Sequence, residues 1–292
     1  KFEVLIHDDA STDGTADIIR EYEEKYPDII KPIYQTENQY SQGIKISWKY
    51  QYPRAKGKYI ALCEGDDYWC DENKLQKQFD ALENSEAVFC SHFVRCINEN
   101  GEKTDKRYPM QEIDCGYINQ DGFIHHLFDN VFPCFFTSSY FFLASAFLGE
   151  NTCRPKFMMN AKVGDFPTLL ALALKGGMYF IYQEMSCYRI LSQDSWTGRT
   201  INDNKRVIEL YRSNIDVLRA YKLEIDDRYN DLVDKKILEY EFDIEILSNH
   251  FYKLYRKRYC ELFKKISKKE RIRLFIKMYF PTAWKIMIKI LS

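Results

Sequence analysis

Apolar and polar positions over the first 200 residues switch between short β-type runs and stretches with helical spacing. Residues 2–7 form a β-type run that ends in Asp8-Asp9. Ser11 and Thr12 are placed to cap a helix over about 13–26, with Ile18, Ile19 and Tyr22 on its apolar stripe and Pro27 as its stop. Residues 29–34 read as a second strand, and a polar loop at 36–42 leads through Gly43 to a helix near 44–55. A third strand, 58–63, runs into Glu64-Gly65-Asp66-Asp67, followed by a helix near 71–84 and a strand at 87–96. Strands separated by helices predict right-handed crossovers and an α/β fold with a mainly parallel sheet flanked by helices.

The pattern is less regular over 97–163, where an aromatic run occupies 132–142. Gly164-Asp165 then opens a helical stretch at 166–175, and 178–182 and 187–191 read as two short strands. Beyond residue 204 the period becomes helical throughout. Val207, Leu210, Asn214, Leu218 and Tyr221 mark one amphipathic helix; Val233, Ile237, Tyr240, Ile244, Leu247, Phe251 and Leu254 mark a longer one. The division expected is a domain over 1–200 and a helical C-terminal extension over 201–292. The chain starts at Lys1, directly in a strand-like run, as expected of a domain cut at its front.

Hydrophobic residues at 46% and charged residues at 29% exclude a disordered chain. The net charge of −1 is a cancellation: residues 251–292 hold thirteen Lys and Arg against two Asp and Glu, so a tail of +11 follows a body of −12. The nine cysteines are odd in number, form no C-x-x-C pair and lie partly in apolar runs, which fits free thiols in a reducing cytosol. No apolar run reaches the ~18 residues of a membrane span, and no signal-peptide pattern is present.

The chemistry concentrates at two strand ends. Glu64, Asp66 and Asp67 lie just past a buried-type strand, where ligands of parallel sheets bind. Three carboxylates in four residues repel one another unless a cation joins them, and Mg²⁺ or Mn²⁺ with a phosphate partner suits such oxygens. The alternative is a solvated acidic turn that caps the next helix. The second site is His7-Asp8-Asp9-Ala10-Ser11-Thr12-Asp13-Gly14-Thr15. A calcium loop is excluded there, because Arg20 stands where that loop needs its twelfth-position Glu. A carboxylate at this strand end can accept from a base N–H or a ribose hydroxyl; simple helix capping is the other reading.

Taken together, the two segments resemble the family 2 glycosyltransferases of GT-A fold. That family reads roughly D-D-G-S-T-D-G-T, then an asparagine-containing loop, then G-x-Y-I-x-x-L-D-x-D-D. The matching residues are Asp8 to Thr15, Glu37-Asn38-Gln39 with Gly43, and Gly57-Lys58-Tyr59-Ile60-Ala61-Leu62-Cys63-Glu64-Gly65-Asp66-Asp67. Gly164-Asp165-Phe166-Pro167, Tyr188-Arg189 and the run from Ser192 to Gly198 resemble later family segments, so the likeness covers about residues 1–200. The chain departs from the pattern in three places. The family's first strand is missing, Glu64 replaces the first Asp of D-x-D, and Leu191 stands where His often follows Tyr-Arg.

The resemblance implies an inverting, metal-dependent transferase using a nucleotide-sugar, a UDP-sugar, on a glycan or lipid-linked acceptor. Its setting would be bacterial surface polysaccharide synthesis, such as capsule or O-antigen. It implies that Asp8, Asp9, Ser11 and Asp66 bind the nucleotide and that Glu64, Asp66 and Asp67 hold Mg²⁺ or Mn²⁺. It further implies that Asp165 is the catalytic base, although Asp165 also suits an N-cap. Trp69 and Trp196 are candidate sugar contacts. The paired His125-His126 cannot both face one metal, and the 132–142 aromatics suit a core or an acceptor-groove wall.

The basic tail reads either as a membrane-surface element or as a hairpin packed on the acidic body; no nucleic-acid motif is present. The expected place is the cytoplasm, peripheral at the inner face of the cell membrane. The rival functions are a catalytically inactive GT-A domain serving as a binding or scaffold subunit, and a sugar nucleotidyltransferase. The latter usually carries a Gly-rich phosphate loop, which this chain lacks.

Overall fold

The computed structural model describes residues 1–129, 135–149, 154–190, 200 and 202–280. Strand β1 (Val4–Asp8) and strand β2 (Ile30–Tyr34) pair in parallel across helix α1 (Thr15–Lys25). The other edge of β1 is met by side chains: Gln51 Nε2 donates to the Leu5 carbonyl at 3.0 Å and Arg54 Nη2 to that of Ile6 at 2.9 Å. These donors come from two short turns, Ser47–Gln51 and Tyr52–Arg54, which stand where a regular helix over 44–55 was expected.

Strands β3 (Tyr59–Ala61), β4 (Tyr68–Trp69), β5 (Ala87–Ile97), β6 (Lys103–Tyr108), β7 (Gly116–Ile118), β8 (Phe141–Leu143) and β9 (Gly177–Arg189) form the large sheet, with path β3-β8-β5-β9-β4. The α/β class holds, but the pairing departs from a mainly parallel sheet. Only β1/β2 and β5/β9 are parallel among the described pairs; β3/β8, β5/β8, β4/β9, β5/β6 and β7/β9 are antiparallel. The reason lies in the irregular middle. Its strands β6, β7 and β8 insert antiparallel beside β5 and β9, and β7 and β8, with three residues each, lack the length to show a period. The two short strands expected over 178–191 are one continuous strand, β9.

Strand β5 is buried over most of its length because helices cover both sheet faces. On one face lie α3 (Gln120–Asp129) and α5 (Asp165–Ala173), whose Phe123, Leu127, Leu169 and Leu172 pack with Phe89 and Phe180. On the other face α2 (Lys74–Glu83) packs Ala81 and Leu82 against Cys90 and Phe141. A short helix α4 (Ala144–Leu148) follows β8.

Helices α6 (Asn204–Tyr221) and α7 (Asn230–Leu247) join the main core through Leu218, Tyr221, Val233 and Tyr240. The hydrophobic core therefore continues across residue 200. The long C-terminal helix predicted through residue 254 stops at Ser248, where Asn249 adopts φ 58, a left-handed conformation Asn tolerates. Phe251, Leu254 and Tyr259 then fold back with α8 (Cys260–Lys265) and α9 (Lys268–Tyr279) into a second cluster around Phe242 and Leu274. Among the described residues no helix is long and apolar enough to cross a membrane. The described cysteines Cys63, Cys70, Cys90, Cys96, Cys115, Cys187 and Cys260 are free thiols.

Candidate active site

The ends of β1, β3 and β9 supply the polar groups of the candidate site. Past β3 the chain turns at Glu64–Asp67, closed by the Asp67 N–H donating to the Glu64 carbonyl at 3.1 Å. The strand pair β4/β9 brings Arg189 onto this turn. Its N–H donates to Asp67 Oδ1 at 3.1 Å and its Nε to the Asp66 carbonyl at 3.2 Å. Asp67 Oδ2 is buried with no hydrogen-bond partner among the described residues. The Asp66 side chain faces solvent.

Asp165 arrives from the opposite side, as the first residue of α5. It does not cap that helix: the cap position is Gly164 and no side-chain capping bond forms. Its carboxyl is instead half-buried beside Tyr52, near enough to Glu64 for the two charges to interact, and accepts from the Thr137 side chain. Burial raises the Asp165 carboxyl above the usual carboxylate range, and Thr137 offsets part of that rise. Glu64, although exposed as a residue, is pushed up to about 8, first by desolvation of its carboxyl and then by the charges of Asp165, Asp67 and Asp66. Asp67 rises to about 6, mainly by desolvation, with the Arg189 N–H opposing.

The two carboxylates at the end of β1 have different tasks. Asp9 Oδ1 accepts from the Gln39 N–H at 2.8 Å and Oδ2 from the Tyr40 N–H at 2.9 Å, while Asn38 Nδ2 donates to the Asp9 carbonyl. Asp9 thus holds the 38–40 loop. Asp8 is buried; its Oδ2 accepts a long 3.4 Å bond from the Ser11 N–H and its Oδ1 has no partner among the described residues. Asp8 is therefore the one with a spare acceptor. Ser11 is exposed. Ala10, between them, has φ 60, the conformation that glycine adopts without cost.

Trp69 is pinned from two directions. Its Nε1 donates to the Ser138 carbonyl at 3.1 Å, and the Lys74 ammonium lies 4.2 Å from its ring centre. Lys74 is itself buried, bonded to Gln78 Oε1 at 2.7 Å and lowered to about 7 by desolvation. One face of the Trp69 ring is thus taken by protein. Trp196, Leu191 and the Ser192–Gly198 run lie outside the described residues. Phe135, Tyr140 and Phe142 of the aromatic run are core, and Phe136 packs on Tyr188 at 4.2 Å. His125 pairs locally with Asp129, at 3.1 Å. The roles of Tyr52, Thr137 and Lys74 had no sequence signal, since none belongs to a motif; Tyr52 and Thr137 act on the distant Asp165, and Lys74 acts on Trp69 five residues away.

Among the described residues, no three His, Cys, Asp or Glu donors converge on one point. A divalent cation here would take one or two carboxylates from the protein and complete its shell with water and phosphate oxygens, as Mg²⁺ usually does. The Asp67 oxygen without a partner among the described residues and the raised carboxyls of Glu64 and Asp67 fit that requirement.

Residues 1–143 match the family model of Glycosyl transferase family 2. Over this stretch, just under half of the chain, the sequence is similar to glycosyltransferase family 2. It is 46% identical over 108 residues to the uncharacterized protein Rv1520 of Mycobacterium tuberculosis, covering 37% of this chain and 30% of that protein. It is 33% identical over 105 residues to the putative teichuronic acid biosynthesis glycosyltransferase TuaG of Bacillus subtilis, 36% of this chain and 40% of the other. It is 37% identical over 90 residues to the UDP-Glc:alpha-D-GlcNAc-diphosphoundecaprenol beta-1,3-glucosyltransferase WfaP of Escherichia coli, 31% and 33% of the two chains. The matched stretch thus spans well under half the length of these relatives. The crystal structure of S. aureus TarS 1–349 has the same fold, with a TM-score of 0.55 over 95% of this chain and 69% of that one, at 14% identity.

Proposed function

We propose that this chain is a family 2 glycosyltransferase that moves a sugar from a UDP-sugar to a hydroxyl of a glycan or lipid-linked acceptor, inverting the anomeric centre. The observation that carries this reading is the placement of Asp165: a half-buried carboxylate with a raised pKa, not spent on capping, within charge interaction of the acidic turn 98 positions away along the chain. A sugar hydroxyl is a weak nucleophile, so a nearby base of raised pKa must take its proton as the new bond forms.

Asp8 Oδ1 accepts from the base or ribose of the donor, and Asp9 holds the 38–40 loop against it. Asp66 and Asp67, with Glu64 at the rim, hold Mg²⁺ or Mn²⁺. When bound, that ion offsets the charge growing on the leaving diphosphate. Arg189 keeps the turn in place. The names of WfaP and TuaG support a UDP-sugar donor, a diphosphate-lipid acceptor and a setting in surface polysaccharide synthesis.

The test is donor hydrolysis over UDP-, GDP- and dTDP-sugars with and without Mn²⁺, using a full-length protein. Mn²⁺-dependent hydrolysis confined to one nucleotide class supports the reading. Hydrolysis of none, together with no binding of UDP, overturns it in favour of a scaffold role.

The tail suggests a place for this chemistry. Leu274 of α9 is buried, whereas Ile272, Phe275 and Tyr279 are exposed together on the opposite side, with Arg271 and Arg273 flanking them at helical spacing. An apolar stripe bordered by cations suits the surface of an anionic membrane, where a lipid-linked acceptor resides.

A further inference from the structure

We propose that the cleft between the 40–45 loop and the start of α6 is an anion subsite that receives the phosphate or diphosphate of the acceptor. This rests on the glycosyl-transfer reading above. The cleft has a volume of about 410 Å³ and is lined by Tyr40, Ser41, Lys45, Lys162, Arg206 and Glu209, among others.

Its charge is not balanced. Lys162 pairs with Glu209, and Arg206 with Asp203 at 3.5 Å. Lys45 makes no ion pair among the described residues; its Nζ donates only to the Lys162 carbonyl, at 3.2 Å. Arg154 is close enough to Lys45 for their charges to repel. Its Nη1 donates to the Met159 carbonyl at 3.2 Å, and its Nε is buried with no partner among the described residues. Burial lowers both cations from their ordinary values, and for Lys45 the Arg154 charge lowers it further. Two half-buried cations whose charges repel, neither in an ion pair among the described residues, are unfavourable alone and become favourable when an anion joins them.

None of the residues that line the cleft belongs to the acidic turn. The acidic turn at 64–67 is where the donor's diphosphate belongs in the proposed reaction. The cleft is lined by Lys162, three residues before the proposed base in the sequence. An acceptor sugar whose hydroxyl meets Asp165 must send the rest of the molecule away from the donor. The 160–165 segment offers a cationic path for it.

The test titrates inorganic pyrophosphate into the protein in EDTA, where no cation can bridge it to the acidic turn. Saturable binding is expected, weakened about ten-fold or more in Lys45→Ala and in Arg154→Ala, with circular dichroism confirming that each variant folds. UDP in EDTA should not compete. No saturable binding, equal affinity in both folded variants, or displacement by UDP each overturns the proposal. A second arm compares a sugar on a short-chain alkyl diphosphate with the same sugar on a neutral alkyl glycoside. The diphosphate acceptor should have the lower KM, and Lys45→Ala should erase that advantage while leaving kcat and donor hydrolysis nearly unchanged. An equal loss for both acceptors also overturns it. Pyrophosphate binding that persists in a protein with no donor hydrolysis means that the transfer reading has failed and the anion site has not.

Discussion

Arg189 and Asp67, 122 positions apart, are joined where β9 ends: the Arg189 N–H donates to Asp67 Oδ1 at 3.1 Å. The guanidinium of the same residue also donates to the Asp66 carbonyl at 3.2 Å and to that of Glu99 at 3.2 Å. Removing the side chain in Arg189→Ala keeps the backbone bond and frees those carbonyls. At about 1–2 kcal/mol for a charged donor, UDP affinity in Mn²⁺ should fall roughly ten-fold. Calorimetry measures it; an unchanged affinity means that the turn holds its shape without the arginine.

Asp66 and Asp165 should separate binding from chemistry. Asp66→Ala is expected to lose metal-dependent UDP binding. Asp165→Asn should keep that binding and lose about 10²–10⁴-fold in transfer rate, the usual range for a general base. Undiminished transfer in Asp165→Asn would falsify the base assignment.

The raised carboxyls set a pH dependence. Glu64, near 8, and Asp67, near 6, hold protons in the free protein at a pH where exposed carboxyls are ionised. A cation requires them ionised, so Mn²⁺–UDP binding should release protons and strengthen from pH 6 to pH 8. For the protein alone the sign is opposite. Between the unfolded carboxyl range near 4 and these raised values, the folded state binds more protons than the unfolded one, so these groups lower stability as pH rises. Calorimetry in two buffers of different ionisation enthalpy checks the proton release. Thermal melts check that Mn²⁺–UDP stabilises more at the higher pH.

Ala10 carries a left-handed backbone at φ 60 directly beside Asp9. An L-residue with a Cβ is strained there by roughly 1–2 kcal/mol, while glycine adds some unfolded-state entropy. Ala10→Gly should therefore leave stability unchanged or raise it by up to about 1 kcal/mol, read as a small upward shift in Tm. A clear drop in Tm would mean that the methyl group packs usefully.

The exposed stripe of α9 can be tested without removing the helix, whose Leu274 is core. Ile272→Glu with Phe275→Glu should keep the fold and reduce co-sedimentation with anionic liposomes several-fold. Equal sedimentation of wild type and the double variant would leave the helix with only its packing role.

The sequence determined the local chemistry: the acidic turn after β3, the Asp8–Thr15 segment after β1, the Asp165 helix start and the basic tail all follow from short patterns. It also determined the α/β class, because long periodic runs such as 87–96 leave one choice of element. Pairing direction was decided only in three dimensions, since β7 and β8 have three residues each and too little length to carry a period. Nor does a sequence tell which of two adjacent carboxylates is already bonded. Asp8 and Asp9 look alike as letters, and the 38–40 loop, thirty residues away, consumes one of them. The partial burial of Asp165 beside Tyr52 and Glu64, and the meeting of Lys45 with Arg154, are likewise products of folding. Charge and burial at a point depend on every segment that converges there, and convergence is a property of the tertiary structure alone.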